Sequence, residues 1–169
     1  MAEKRKIGQY SVTYDGIFSF KEIMKILTEW ISEYNYKPNE ISHTENVKEA
    51  GRHIFYQMNP FKEINEYVKY DVWIEFTCSD MTDVVVEIDG KNRKMNKGNI
   101  SVAIIIFLTT DYENMYEDKP FKIFFRSLYD KYIGAGPVSQ WIATLKKESV
   151  ELKQRFEGQL NLYKFGKQT

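Results

Sequence analysis

Residues 136–164 read GPVSQWIATLKKESVELKQRFEGQLNLYK, and this stretch decides the architecture. Val138, Trp141, Leu145, Leu152, Phe156, Leu160 and Tyr163 recur at helical spacing and draw one apolar stripe. Pro137 suits the first helical position, where a missing N–H is no loss. Gly134, Ala135 and Gly136 break whatever precedes it. The rod would be about 40 Å long at a rise of about 1.5 Å per residue. Gly158 is its weak point, costing about 1 kcal/mol relative to alanine. A stripe of that length needs a surface to cover, and most of the upstream chain reads as antiparallel strand.

Working back from that helix, residues 100–109 run apolar on both faces, as in a central strand covered on each side. Residues 67–78 alternate cleanly: Val68, Tyr70, Val72, Ile74, Phe76 and Cys78 take one face, and Lys69, Asp71, Glu75 and Thr77 the other. Polar clusters at 79–83 and 96–99 predict reversals. Between them Val84, Val86 and Ile88 lead through Asp89-Gly90, a hairpin signal, into a short strand ending at Met95. Residues 40–47 and 52–58 predict two strands around a turn at 49–51, and Asn59-Pro60 opens a connection. Residues 9–15 alternate Tyr10, Val12 and Tyr14 against Gln9, Ser11 and Thr13, with a turn expected at Asp15-Gly16.

The first helix carries full punctuation. Ser19 is the expected N-cap and Glu22 completes a capping box, while Phe18 and Ile23 form a hydrophobic staple. Phe20, Ile23, Leu27, Trp30, Ile31 and Tyr34 mark its buried face, and Asn35 and Pro38 stop it. An acidic loop at 111–119 precedes a further helix predicted over 121–132, with Phe121, Phe124, Phe125, Leu128 and Tyr132 on one stripe. The sum is an α+β domain: a curved antiparallel sheet of about six to seven strands around a long C-terminal helix. One domain is expected over 9–169, behind a polar tail over 1–8.

Composition narrows the function classes. At 169 residues, 43% hydrophobic and 28% charged, the chain has the make-up of a soluble globular domain with one core. Twenty-four basic residues balance 24 acidic ones, so no global field draws it to nucleic acid or anionic lipid. The single cysteine, Cys78, excludes an internal disulfide and a cysteine-based zinc cluster, and predicts a reducing, cytoplasmic setting. The N-terminal MAEKRKIGQYSVTY lacks the apolar centre of a secretory signal. The longest apolar run, VAIIIFL at 102–108, falls short of the roughly 20 residues a membrane helix needs.

The order strand, helix, antiparallel strands, short insert and long closing helix resembles the helix-grip architecture of the START-like superfamily, which includes polyketide cyclases and lipid-transfer domains. The likeness covers residues 9–164 and rests on element order alone. No family motif is matched, so it assigns no residue a role. It departs in having one longer helix after the first strand and an added aromatic segment at 121–133. What it implies is ligand binding between sheet and helix.

No catalytic signature stands out. A symmetric connection at 59–66 would set His53 near Asp71 and away from Cys78, whose place on an apolar face is that of a small hydrophobe. His43 and His53 are the only histidines. Asp111, Glu113, Glu117 and Asp118 lack the glycine of a calcium loop, so no metal or cofactor is expected. Register matching of apolar faces puts Glu75 opposite Glu87, a pair that does acid–base work only if buried; the exposed reading is preferred. Lys91, Arg93, Lys94 and Lys97 gather on one hairpin tip without stacking aromatics, which argues against nucleic acid and leaves peripheral membrane contact compatible.

The favoured expectation is a non-enzymatic binding domain for a small hydrophobic molecule. Tyr56, Tyr70, Phe76, Trp141 and Leu145 would line a cavity between sheet and C-terminal helix, tyrosine hydroxyls taking the polar end. The alternative is a protein-interaction module with a filled core. It would use either the aromatic segment 121–133, through Phe124 and Arg126, or the basic hairpin 91–97, through Lys91, Arg93 and Lys94.

Overall fold

The structure, a computed structural model, describes residues 2–110, 112 and 136–162. Six strands and two helices appear among them: β1 (Glu3–Phe18), α1 (Phe20–Glu33), β2 (Glu40–Lys48), β3 (Gly51–Met58), β4 (Phe61–Glu63), β5 (Val68–Ile88), β6 (Lys91–Thr110) and α2 (Pro137–Asn161). The strands form one sheet in the order β1-β6-β5-β3-β2, with β4 paired along β5 and every described pairing antiparallel. The fold is therefore α+β, and its first and last strands are neighbours.

Alternation decides which face is core. Val68, Tyr70, Val72, Ile74, Phe76 and Cys78 of β5 are buried beside Ile100, Val102, Ile104, Ile106 and Leu108 of β6. Both helices cover this inner face. α1 starts as its sequence dictates, the Glu22 N–H donating to the Ser19 hydroxyl at 3.3 Å, and buries Ile23, Leu27, Trp30 and Ile31. α2 lies against β1, β6 and α1 and seats Leu145, Leu152, Phe156 and Leu160 in the core. No helix among the described residues is long and apolar enough to cross a membrane.

Several expectations are corrected. The polar residues at 3–8 are no tail: they extend β1 and pair with the end of β6, from Glu3 opposite Thr110 to Gly8 opposite Ile106. Asp15-Gly16, residues 79–83 and residues 96–99 do not reverse the chain. They lie side by side within the sheet, Gly16 opposite Gly98, Ser79 opposite Asn99 and Thr82 opposite Lys97. The extra residues are a bulge, with Asp80 at φ 53°. Gly98 and Gly51 flank it from the adjoining strands, where a Cβ would lie 2.7–3.0 Å from backbone atoms of Ser79, Asp80 or Met81. Bulges and glycines are the devices by which strands bend, and here they line up across four strands. The expected Asp89-Gly90 turn is present, both residues at positive φ.

Candidate functional site

α1 ends at Tyr34, and Asn35 takes the left-handed conformation at φ 57° that such helix ends favour. The chain then doubles back so that Lys37 pairs with Phe61 of β4, through backbone bonds of 2.7 and 3.1 Å. β4 in turn sets Lys62 opposite Tyr70 of β5 on the inner face. Tyr36, Lys62 and Tyr70 thus arrive together from three segments, and α2 brings Glu148 onto them.

Glu148 is a carboxylate only 7% exposed. Lys62 Nζ donates to its Oε1 at 2.8 Å and its Oε2 at 3.0 Å, and the Tyr36 hydroxyl donates to Oε2 at 2.6 Å. The backbone carbonyl of the same residue accepts from Trp30 Nε1 at 2.9 Å, and Tyr36 stacks on the Trp30 ring at 4.5 Å. The Lys62 ammonium lies 4.6 Å from the ring centre of Tyr36, 5.5 Å from that of Tyr70 and 5.9 Å from that of Tyr34. A cation thus sits inside an aromatic cage whose floor is a carboxylate.

Burial, then the Glu148 charge, raises the Tyr36 and Tyr70 hydroxyls well above the ordinary tyrosine range, so both remain donors at neutral pH. At the rim the Tyr34 hydroxyl is pushed up to about 12, first by its hydrogen bond to Glu151, which Arg155 also holds together with Glu33. Both Glu148 oxygens are engaged, Oε1 by Lys62 and Oε2 by Lys62 and Tyr36, so the carboxylate is paired within the chain. Breaking a buried pair of this kind costs about 3–5 kcal/mol, because the remaining charge is left uncompensated.

The five expected ligand-binding residues are all on the inner face but in two groups. Tyr70 belongs to the cage, and Leu145 lies one turn before Glu148 on α2, buried, with Trp141 half-buried one turn earlier. Phe76 is six residues along β5, about 20 Å away, packed edge-on to Phe156 at 5.6 Å and 6.1 Å from Tyr56. The Tyr56 hydroxyl donates to Glu40 at 3.0 Å and is pushed up to about 12, mainly by burial. Two depressions of about 300 Å³ appear among the described residues, one between β1 and the end of α2, the other on the outer sheet face around Thr77 and Asn99. Neither is lined by any of the five.

Other expectations are settled by register. Ile54 pairs with Cys78, so His53 is closer in the sheet than expected, yet it points outward to Asp80 at 3.5 Å while Cys78 points inward. Burial pushes the Cys78 thiol up to about 12, which leaves no thiolate at neutral pH. Glu75 is not opposite Glu87: it neighbours Ala103 and Gln57, whose Nε2 donates to it at 2.8 Å, while Glu87 faces Asn92. Lys91, Arg93 and Lys94 are exposed on the ribbon between Val84 and Met95, as expected for a tip. Phe124 and Arg126, with the segment 121–133 and the loop 111–119 apart from Tyr112, lie outside the described residues.

The cage is not legible in the sequence because its members come from stretches with the signals of connections, Tyr36 after a helix stop and Lys62 after Asn59-Pro60. One signal was available. Glu148 and Ser149 interrupt the apolar stripe of the last helix between Leu145 and Leu152, a charge where the pattern calls for core. No protein-family model matches the chain, and no curated protein is significantly similar to it.

Proposed function

We propose that the chain is a binding domain for a small, largely apolar molecule, held in helix-grip fashion against the inner sheet face beneath the first half of α2. One observation carries this reading: Val138, Trp141 and Ile142 pack on the core yet stay half-exposed, whereas Leu145, Leu152, Phe156 and Leu160 further along the helix are fully seated. An apolar surface left at the rim of a core, next to a few convergent polar groups, is the usual make-up of a small-molecule site. The resemblance of the element order to that of helix-grip proteins supports the same reading.

The test is titration with an uncharged solvatochromic dye such as Nile red. Saturable, blue-shifted binding is expected, lost in Ile142→Arg while the thermal midpoint stays within about 4 °C of the parent. Non-saturable binding, or identical binding by Ile142→Arg, would end this proposal.

The interaction-module reading is favoured by the ribbon at 84–95, which neither β1 nor β3 flanks and on which Val85 is 66% exposed opposite Lys94. Glu87 and Asp89 share that ribbon with Lys91, Arg93 and Lys94. Its charges therefore largely offset one another, and a protein surface suits it better than a run of phosphates.

A further inference from the structure

We propose that the ligand carries a primary ammonium head on an apolar body, and that this head replaces Lys62 between Glu148 and the tyrosine rings. The inference rests on the binding reading above and specifies its polar end. Lys62 is already a resident ligand of that class: a primary ammonium with two hydrogen bonds to one buried carboxylate and three rings around it. Its side chain is 18% exposed, against 9% for that of Glu148. Lys62 stands on the three-residue β4, and its side chain is the more exposed partner of the pair.

Exchange of one ammonium for another leaves the electrostatics of the cage unchanged. Glu148 keeps its hydrogen bonds, and the displaced Lys62 recovers hydration and side-chain freedom. The net drive is then burial of the ligand's apolar body. The half-exposed Trp141 and Ile142 would take that body, Trp141 standing two turns before Glu148 on α2, about 10 Å along the helix axis.

An anionic head fits badly, because it would share Lys62 with Glu148 and set two carboxylates side by side. A neutral hydroxyl would leave Lys62 in place and gain no charged hydrogen bond. A quaternary ammonium would satisfy the rings but has no N–H for Glu148. The site as built selects a primary amine.

The experiment titrates the full chain at pH 7 with decylammonium, decyltrimethylammonium, decanol and decanoate, each below its micellar concentration, following tryptophan fluorescence and the heat of binding. Decylammonium is expected to bind about tenfold or more tightly than the other three, the scale of a charge-assisted hydrogen bond. Lys62→Met, which removes the resident cation, should tighten decylammonium by about tenfold and leave decanol within about twofold. Glu148→Gln should erase the preference. If decanol or decanoate binds as well as decylammonium, the head-group assignment is overturned while the binding reading survives. If decyltrimethylammonium equals decylammonium, the cage reads charge alone and the primary-amine selection fails. If none binds, both proposals fall together. Should Lys62→Met or Glu148→Gln not fold, the ranking on the unaltered protein still decides.

Discussion

A methyl group added at Gly98 would meet the Ser79 carbonyl oxygen at 2.8 Å and the Met81 Cα at 2.9 Å, and neither is the yielding end of a side chain. At Gly158, on the exposed side of α2, the same methyl group meets nothing within 4 Å. The two residues therefore predict opposite outcomes. Gly98→Ala should cost about 1–3 kcal/mol, the scale of overpacking, and Gly158→Ala should stabilise by about 1 kcal/mol through helix propensity. Urea unfolding of the pair checks this, and a neutral Gly98→Ala would show that the bulge can move aside. Residue-level reading succeeded where the physics is local. The Ser19 cap, whose hydroxyl accepts from the Glu22 N–H, involves residues three positions apart. It failed at Gly98 because a glycine that admits another strand's backbone and a glycine that turns the chain look alike in one dimension.

The same ambiguity operates on whole elements. Asp15-Gly16, residues 79–83 and residues 96–99 all carry turn chemistry, which in the sequence alone marks the end of a strand. Adjacent in the sheet, they instead make a transverse line through which β1, β5 and β6 continue, so three expected hairpins between residues 67 and 109 become one long one. Asp89-Gly90 alone among these signals reverses the chain, at positive φ in both residues. Beyond the line, pairing by β1 stops at Phe18 opposite Asn96 and pairing by β3 at Arg52 opposite Met81, which leaves residues 84–95 as a free two-stranded ribbon. Its removal should spare the domain. Replacing residues 85–94 with Asn-Gly, a two-residue hairpin loop, keeps Asp83 with its Arg52 and Asn96 partners. The thermal midpoint is expected to fall by no more than about 4 °C, equivalent to about 1 kcal/mol at this size. A fall beyond about 10 °C would show that the ribbon helps hold the sheet.

At the scale of the molecule, the decisive contact joins the first and last strands along the chain. β1 runs along β6 from Glu3 opposite Thr110 to Phe18 opposite Asn96, and it also supports α2. The α+β class and the inner face of β5 and β6 were legible because alternation reports burial directly. This closure was not, because lysines, arginine and glutamate at the start of β1 carry no apolar signal and their partner lies about a hundred residues away. Polar side chains do not prevent pairing, since the backbone alone supplies the ladder. Lys4 also adds contacts of its own, its ammonium 5.0 Å from the Trp73 ring centre and 4.4 Å from that of Phe107 on the outer face. Deleting residues 2–8 would strip that cover and expose the edge of β6 that carries Ile106 and Leu108. The loss combines two cation–π contacts at about 0.5–1 kcal/mol each with cross-strand pairs of similar size. A destabilisation of about 2 kcal/mol or more is expected, seen as a fall of roughly 4–8 °C in the thermal midpoint. Hydrogen exchange should quicken first at Ile106 and Leu108, the β6 residues the deletion leaves bare. An unchanged midpoint with unchanged exchange would mean that these residues are a tail after all, and that the sheet closes without them.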